Sequence, residues 1–223
     1  MTTPSRPPEP VQRRHVLFFG IAGILAACFP AWSWLALGDG MLPAFDRQCA
    51  DYWRDHSGGR EWHAMVFLTD IGGVATMTMV ALMGILCQLS HRRRLFALVW
   101  LVVVLGGAGA NQALKVFFDR DRPPEPDRAV LERNKSYPSG HAMGSVIGYG
   151  MLCYVLVRQT RFSLRHVVLP VLFATLVGGI GLSRIYLRAH WFSDVIGGWA
   201  VGLCWVCFWL GCLEWTRKPE PQA

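Results

Sequence analysis

The residues most able to do chemistry in this chain stand where hydrocarbon-compatible side chains are otherwise the rule. Between two long apolar runs lies Ser183-Arg184-Ile185-Tyr186-Leu187-Arg188-Ala189-His190-Trp191-Phe192-Ser193-Asp194. His190 and Asp194 are four residues apart, so on a helix they share a face and the carboxylate reaches the imidazole. A carboxylate on one ring nitrogen fixes the tautomer and raises the basicity of the other, as a nucleophile or general base requires. Arg184 brings a planar fork of donors that suits phosphate oxygens. Taken alone, the same residues would also suit an interfacial loop whose Arg, His and Trp anchor helices at the headgroups.

Two further clusters carry compatible groups. In Lys115-Val116-Phe117-Phe118-Asp119-Arg120-Asp121-Arg122-Pro123, Lys115 and Arg122 are about two helical turns apart and would point the same way. Pro123 and Pro124 stop the helix, with Arg122 extended before the proline. Two cations on one rim hold two oxygens of a phosphoryl group. The alternative is a snorkelling lysine beside a solvated loop, in which Asp119, Asp121, Glu125 and Asp127 alternate with Arg120, Arg122 and Arg128. Those arginines neutralise the acids and argue against a divalent-metal site, so no metal and no cofactor is assigned. In Tyr137-Pro138-Ser139-Gly140-His141, a helix start supplies free N–H groups, a hydroxyl and a glycine that permits close approach, which together make an anion cradle. His141, in the first turn, is placed to give or take a proton there. A plain serine N-cap beside an interfacial histidine is the simpler alternative.

The elements that must position these clusters are membrane helices. The chain has 223 residues, 52% of them hydrophobic, and ten Trp. Apolar runs cover residues 16–37, 64–89, 95–114 (extending toward 118), 140–157, 167–186 and 192–213. Runs of about 20 residues at 1.5 Å per residue cross the hydrocarbon. The expected architecture is therefore an all-α, polytopic integral membrane protein with six transmembrane helices over 16–213. A disordered, Pro-rich tail over 1–15 and a short polar tail over 214–223 flank it. Residues 38–63 read as a polar loop whose Tyr52, Trp53 and Trp62 lie along the interface. Leu25-Ala26-Ala27-Cys28 is similar to a lipoprotein cleavage box, but the run continues apolar past Cys28 and reads as a helix, kinked at Pro30.

Charge sets the orientation. Net charge is +7, yet the basic residues cluster in the N-terminal tail, at Arg92-Arg93-Arg94 and at Arg158, Arg161 and Arg165, all on one side. By the positive-inside rule that side is cytoplasmic, with both termini. Residues 38–63, 115–139 and 187–191, which hold all three clusters, then face the periplasm or exterior. The basic excess points to topology and anionic lipid rather than nucleic acid. Six of the seven cysteines lie in apolar runs, which excludes a disulfide framework; Cys204 and Cys207 have no metal-ligand partner. Gly140, Gly144 and Gly148 form a small-xxx-small face expected to let helices pack closely.

Lys115-x6-Arg122-Pro123, Pro138-Ser139-Gly140-His141 and Ser183-Arg184-x5-His190-x3-Asp194 together resemble the three signature motifs of the type 2 phosphatidic acid phosphatase superfamily, in its six-helix membrane branch. The resemblance implies metal-independent phosphoryl transfer. His190, oriented by Asp194, would attack phosphorus and form a phosphohistidine. Lys115, Arg122, Arg184, Ser139 and Gly140 would hold the phosphate oxygens. His141 would protonate the leaving oxygen and then activate water. The two histidines start in opposite protonation states, which implies a bell-shaped pH–rate profile. The expected partner is a membrane lipid phosphate or pyrophosphate: phosphatidate, phosphatidylglycerophosphate, undecaprenyl pyrophosphate or lipid A phosphate. Rival readings are a non-catalytic lipid-phosphate binder or transporter, disfavoured because both histidines are present, and a vanadate-dependent haloperoxidase, disfavoured by the apolar spans.

Overall fold

The computed structural model describes residues 11–124, 127, 130, 132, 134–159 and 164–216. Residues 1–10 and 217–223 of the expected tails, and Glu125, Arg128 and Arg161, lie outside them. Among the described residues the chain is entirely helical and turns, with eight helices: α1 Val11–Leu37, α2 Met41–His56, α3 Trp62–Ile71, α4 Val74–Ser90, α5 Arg94–Phe118, α6 Gly140–Gln159, α7 Arg165–Tyr186 and α8 Phe192–Trp215. Five are long and apolar enough to cross a membrane, and α3 with α4 makes a sixth when counted as one span bent by 42°. The protein is a polytopic membrane protein.

Four details differ from the sequence expectation. The N-terminal tail is helical from Val11, so α1 starts ahead of the apolar run and ends at Leu37. The stretch 38–63 is not a loop, because α2 occupies most of it. Leu42, Asp46, Cys49, Ala50 and Trp53 fall on one stripe of that helix, at i, i+4, i+7, i+8 and i+11, and all are at least partly buried. Pro43 is tolerated because it stands in the first turn, where no intrahelical N–H bond is lost. The run 64–89 breaks at Gly72 and Gly73. A Cβ at Gly72 would lie 2.3 Å from Ile180 Cγ2, so this glycine lets α7 approach the break.

The fourth difference concerns the glycines of α6. Gly140, Gly144 and Gly148 do not meet another backbone; they line a groove shared with α4 and α5. The close approach comes instead from α8. A Cβ on Gly198 would lie 2.6 Å from the Ser139 carbonyl oxygen, and one on Gly202 would lie 2.9 Å from that of Met143. Helix α8 is apolar on all sides and packs on α1, α6, α5 and α7. The core lies between α5, α6 and α8, around Trp100, Val103, Met143, Met151 and Val206. Gly198→Ala is expected to destabilise the protein by about 1–3 kcal/mol, the usual cost of overpacking, seen as a lower melting temperature in detergent. An unchanged melting temperature would mean that α6 can slide to make room.

The consequence for function is geometric. The ends of α1 and α5, the start of α6, the end of α7 and the start of α8 gather at one end of the bundle. Helix α2 packs against α1, α7 and α8 there.

Candidate active site

Helix α5 does not carry Lys115 and Arg122 on one face, as the sevenfold spacing suggested. It ends at Phe118, and Asp119 turns the chain with φ +46°, a left-handed conformation that a short polar side chain tolerates. Both cations still converge, through the α5–α6 connection. Lys115 Nζ donates to the Lys135 carbonyl, and Arg122 Nη2 lies 3.4 Å from the same oxygen. Arg122 is further fixed by donating to the carbonyls of Asn134 (2.7 Å) and Ala189 (2.6 Å). Its Nη1 stands 3.2 Å from His190 Nε2.

His190 is 2% exposed. Its Nδ1 lies 3.3 Å from Asp194 Oδ2, which assigns the proton to Nδ1 and leaves the Nε2 lone pair facing Arg122. Burial, reinforced by Arg184, Arg122 and Lys115, holds the His190 imidazole well below its usual range, so it is neutral at pH 7. Asp194 sits in the first turn of α8, where a carboxylate complements the helix N-terminus. Its Oδ2 also accepts the Trp191 amide (3.0 Å) and the Ser136 hydroxyl.

Arg184, 1% exposed, donates through Nη1 to Thr69 Oγ1 (2.6 Å) and through Nη2 to Glu132 Oε1. Glu132 is the residue sequence reasoning did not assign. Its other oxygen accepts Arg122 Nη2 at 2.7 Å, and Oε1 stands 3.8 Å from His141 Nδ1. Burial by itself would raise its pKa; Arg184 first, then His190 and Arg122, outweigh that and hold it at about 2. A carboxylate thus bridges two of the three cations expected to hold phosphate.

Ser139 is fully buried. Its Oγ accepts the Ala142 amide (3.4 Å), the geometry of an N-cap, and its own amide donates to the Asp194 carbonyl (3.0 Å). Gly140 and His141 line the groove with Lys115 and Glu132. A Cβ at Gly140 would meet Asn111 Oδ1 at 3.2 Å. The groove has a volume of about 560 Å³ and continues between α4, α5 and α6 past Met77, Val104, Ala108 and Ile147. All eight residues expected from the sequence therefore gather at one end of the bundle.

Sequence reasoning also passed over Asp46, Arg120, Ser136 and Thr69. For Asp46 a signal existed: it is an acid in the middle of an otherwise apolar stripe. Arg120 and Glu132 carry no such mark, because both lie among alternating charges.

A family model described as the PAP2 superfamily matches residues 96–218. The chain belongs to the PAP2 superfamily. Phosphatidylglycerophosphatase B of Bacillus subtilis is 36% identical over 96 residues, covering 42% of this chain and 46% of that protein. An undecaprenyl-diphosphatase of Sulfolobus acidocaldarius is 33% identical over 73 residues, 33% of this chain and 31% of the relative. The aligned part thus spans less than half the length of these PAP2 relatives. The crystal structure of a transmembrane PAP2 type phosphatidylglycerolphosphate phosphatase from Bacillus subtilis superimposes with a TM-score of 0.76 at 24% identity. That superposition covers 92% of this chain and 98% of the other, so the two share their fold.

Proposed function

We propose that the protein is a membrane phosphatase that removes phosphate from a lipid phosphate or pyrophosphate through a phosphohistidine on His190. The observation that carries this reading is the Glu132 carboxylate seated between Arg122 and Arg184, with His190 Nε2 3.2 Å from Arg122 Nη1. An anion already occupies the cradle beside a buried, neutral, Asp-bound histidine. A phosphoryl group offers the same guanidinium donors more oxygens and more charge than a carboxylate does.

In this mechanism the substrate phosphate displaces Glu132. The His190 Nε2 lone pair attacks phosphorus, and the bond to the leaving oxygen breaks as the N–P bond forms. Asp194 accepts the Nδ1–H bond throughout and balances the positive charge that grows on the ring. Lys115, Arg122, Arg184, the Ser139 hydroxyl and the Gly140 amide stabilise the equatorial oxygens. His141 protonates the leaving oxygen, then takes a proton from water as water attacks phosphohistidine and releases phosphate. With His190 held below its usual pKa of about 6.5, the acid limb of the pH–rate profile should fall below that value.

The groove supports a lipid substrate. It is charged where Lys115, Glu132 and His141 stand and apolar along Met77, Val104 and Ile147, which fits a phosphorylated headgroup joined to hydrocarbon. Phosphatidate, phosphatidylglycerophosphate and undecaprenyl pyrophosphate all meet that description; the names of the two relatives favour the latter two. The site opens on the extracytoplasmic face in this reading, because the Arg92-Arg93-Arg94 turn stands at the opposite end of α5.

The test is phosphate release by the purified protein in detergent with excess EDTA, using these three lipids. Release that survives EDTA is expected. Saturable binding of the lipid without release would replace the phosphatase with a carrier, and release abolished by EDTA would remove the metal-independent mechanism.

A further inference from the structure

Beyond the motif residues, a buried chain of polar and charged side chains runs from His190 to helix α2. Asp194 Oδ1 faces away from His190 and accepts Arg120 Nη1 at 2.6 Å. Arg120 Nη2 donates to Asp46 Oδ2 at 2.8 Å, and its Nη1 also donates to Ser193 Oγ at 2.7 Å. Asp46, 1% exposed, accepts the Ser193 amide at 2.9 Å and the Ser193 hydroxyl at 2.5 Å. The Arg120 guanidinium lies over the Trp191 ring, 5.5 Å from its centroid. Imidazole, carboxylate, guanidinium and carboxylate therefore follow one another through four elements: the His190 loop, α8, the α5–α6 connection and α2.

We propose that Arg120, clamped by Asp46, is a positioning residue that keeps Asp194 ionised and aimed at His190, so that α2 is part of the catalytic apparatus. The inference rests on the phosphatase reading above. A carboxylate with no solvent exposure is expensive to keep charged unless a cation compensates it. Arg120 supplies that cation from the side His190 does not use. A lone buried guanidinium would be equally costly, and Asp46 compensates it. The fork geometry matters as well. One guanidinium spans two carboxylates and a hydroxyl at once, which a lysine ammonium on a flexible stem does not reproduce. Arg120 does not touch the cradle formed by Lys115, Arg122 and Arg184, so its effect reaches the substrate only through Asp194 and His190.

The experiment uses the full chain in detergent, with Arg120→Met, Arg120→Lys and Asp46→Asn compared with the unaltered protein. The readings are kcat and KM on phosphatidate micelles and competitive inhibition by inorganic phosphate. Arg120→Met should lower kcat about 10–100-fold, the scale seen when a partner that orients a functional histidine is lost, with phosphate inhibition nearly unchanged. Arg120→Lys should recover part of the loss, and Asp46→Asn should lie between Arg120→Lys and Arg120→Met. Full kcat in Arg120→Lys and Asp46→Asn would overturn the proposal, even where Arg120→Met fails to fold. Phosphate inhibition that weakens in step with kcat would overturn it too, because Arg120 would then support the anion seat or the fold. No hydrolysis by the unaltered protein would sink the phosphatase reading and this inference with it.

Discussion

Replacing His190 with alanine is expected to abolish turnover, a loss on the order of 10⁴-fold or more for a nucleophile acting as part of a unit. The imidazole is the only buried ring with its Nδ1 tied to a carboxylate among the described residues, and its Nε2 faces the cationic cradle. Water cannot replace it, because attack by water needs a base where Nε2 now stands. The cradle should survive the substitution: Arg122 is still held by the carbonyls of Asn134 and Ala189, and Arg184 by Thr69. Loss of kcat with inhibition by inorganic phosphate preserved is therefore the expected pattern. A His190→Ala protein that kept near-normal turnover would end the phosphohistidine mechanism, and one that lost both properties would assign His190 to binding instead.

The second large effect concerns Glu132. Lys115, Arg122 and Arg184 present three positive charges to an incoming phosphate, and the Glu132 carboxylate cancels one while occupying two guanidinium donors. Glu132→Gln keeps the shape and removes the charge. It should tighten inhibition by inorganic phosphate on the order of 10²-fold, within the range measured for close, partly desolvated ion pairs. Because product phosphate then leaves slowly, kcat should fall while KM falls with it. Acid cannot mimic the substitution at ordinary pH. The carboxyl is held at about 2, below its ordinary 4.5. Its ion pairs therefore stabilise the fold above pH 4.5, and that contribution is lost as pH falls from 4.5 toward 2. Phosphate inhibition that is unchanged or weaker in Glu132→Gln would show that this carboxylate holds the arginines in place rather than competing for them.

The glycines of α6 and α8 show why patterns alone mislead about packing. Both helices carry small residues at close spacing, and either could in principle be the contact face. Only the neighbours decide: Gly198 and Gly202 meet the backbone of α6, whereas Gly140, Gly144 and Gly148 border the groove. The cavity on which the lipid reading rests is thus a property of three helices together. The same holds for the two glycines at the α3–α4 break, whose role depends on Ile180 of α7.

What the amino-acid order determined by itself was the all-helical membrane architecture, the approximate position of the six apolar spans and the gathering of three polar motifs at one end. These follow from run length and from the alternation of direction that consecutive spans impose, both properties of near neighbours along the chain. The tertiary structure alone decided that the helix over 41–56, whose buried stripe is already periodic in the sequence, delivers Asp46 to Arg120, 74 residues away, and that Glu132 lies between Arg122 and Arg184. Buried charges choose partners by proximity in space and by the cost of being left alone in a low dielectric. That choice leaves no periodic trace in a stretch where acids and bases simply alternate.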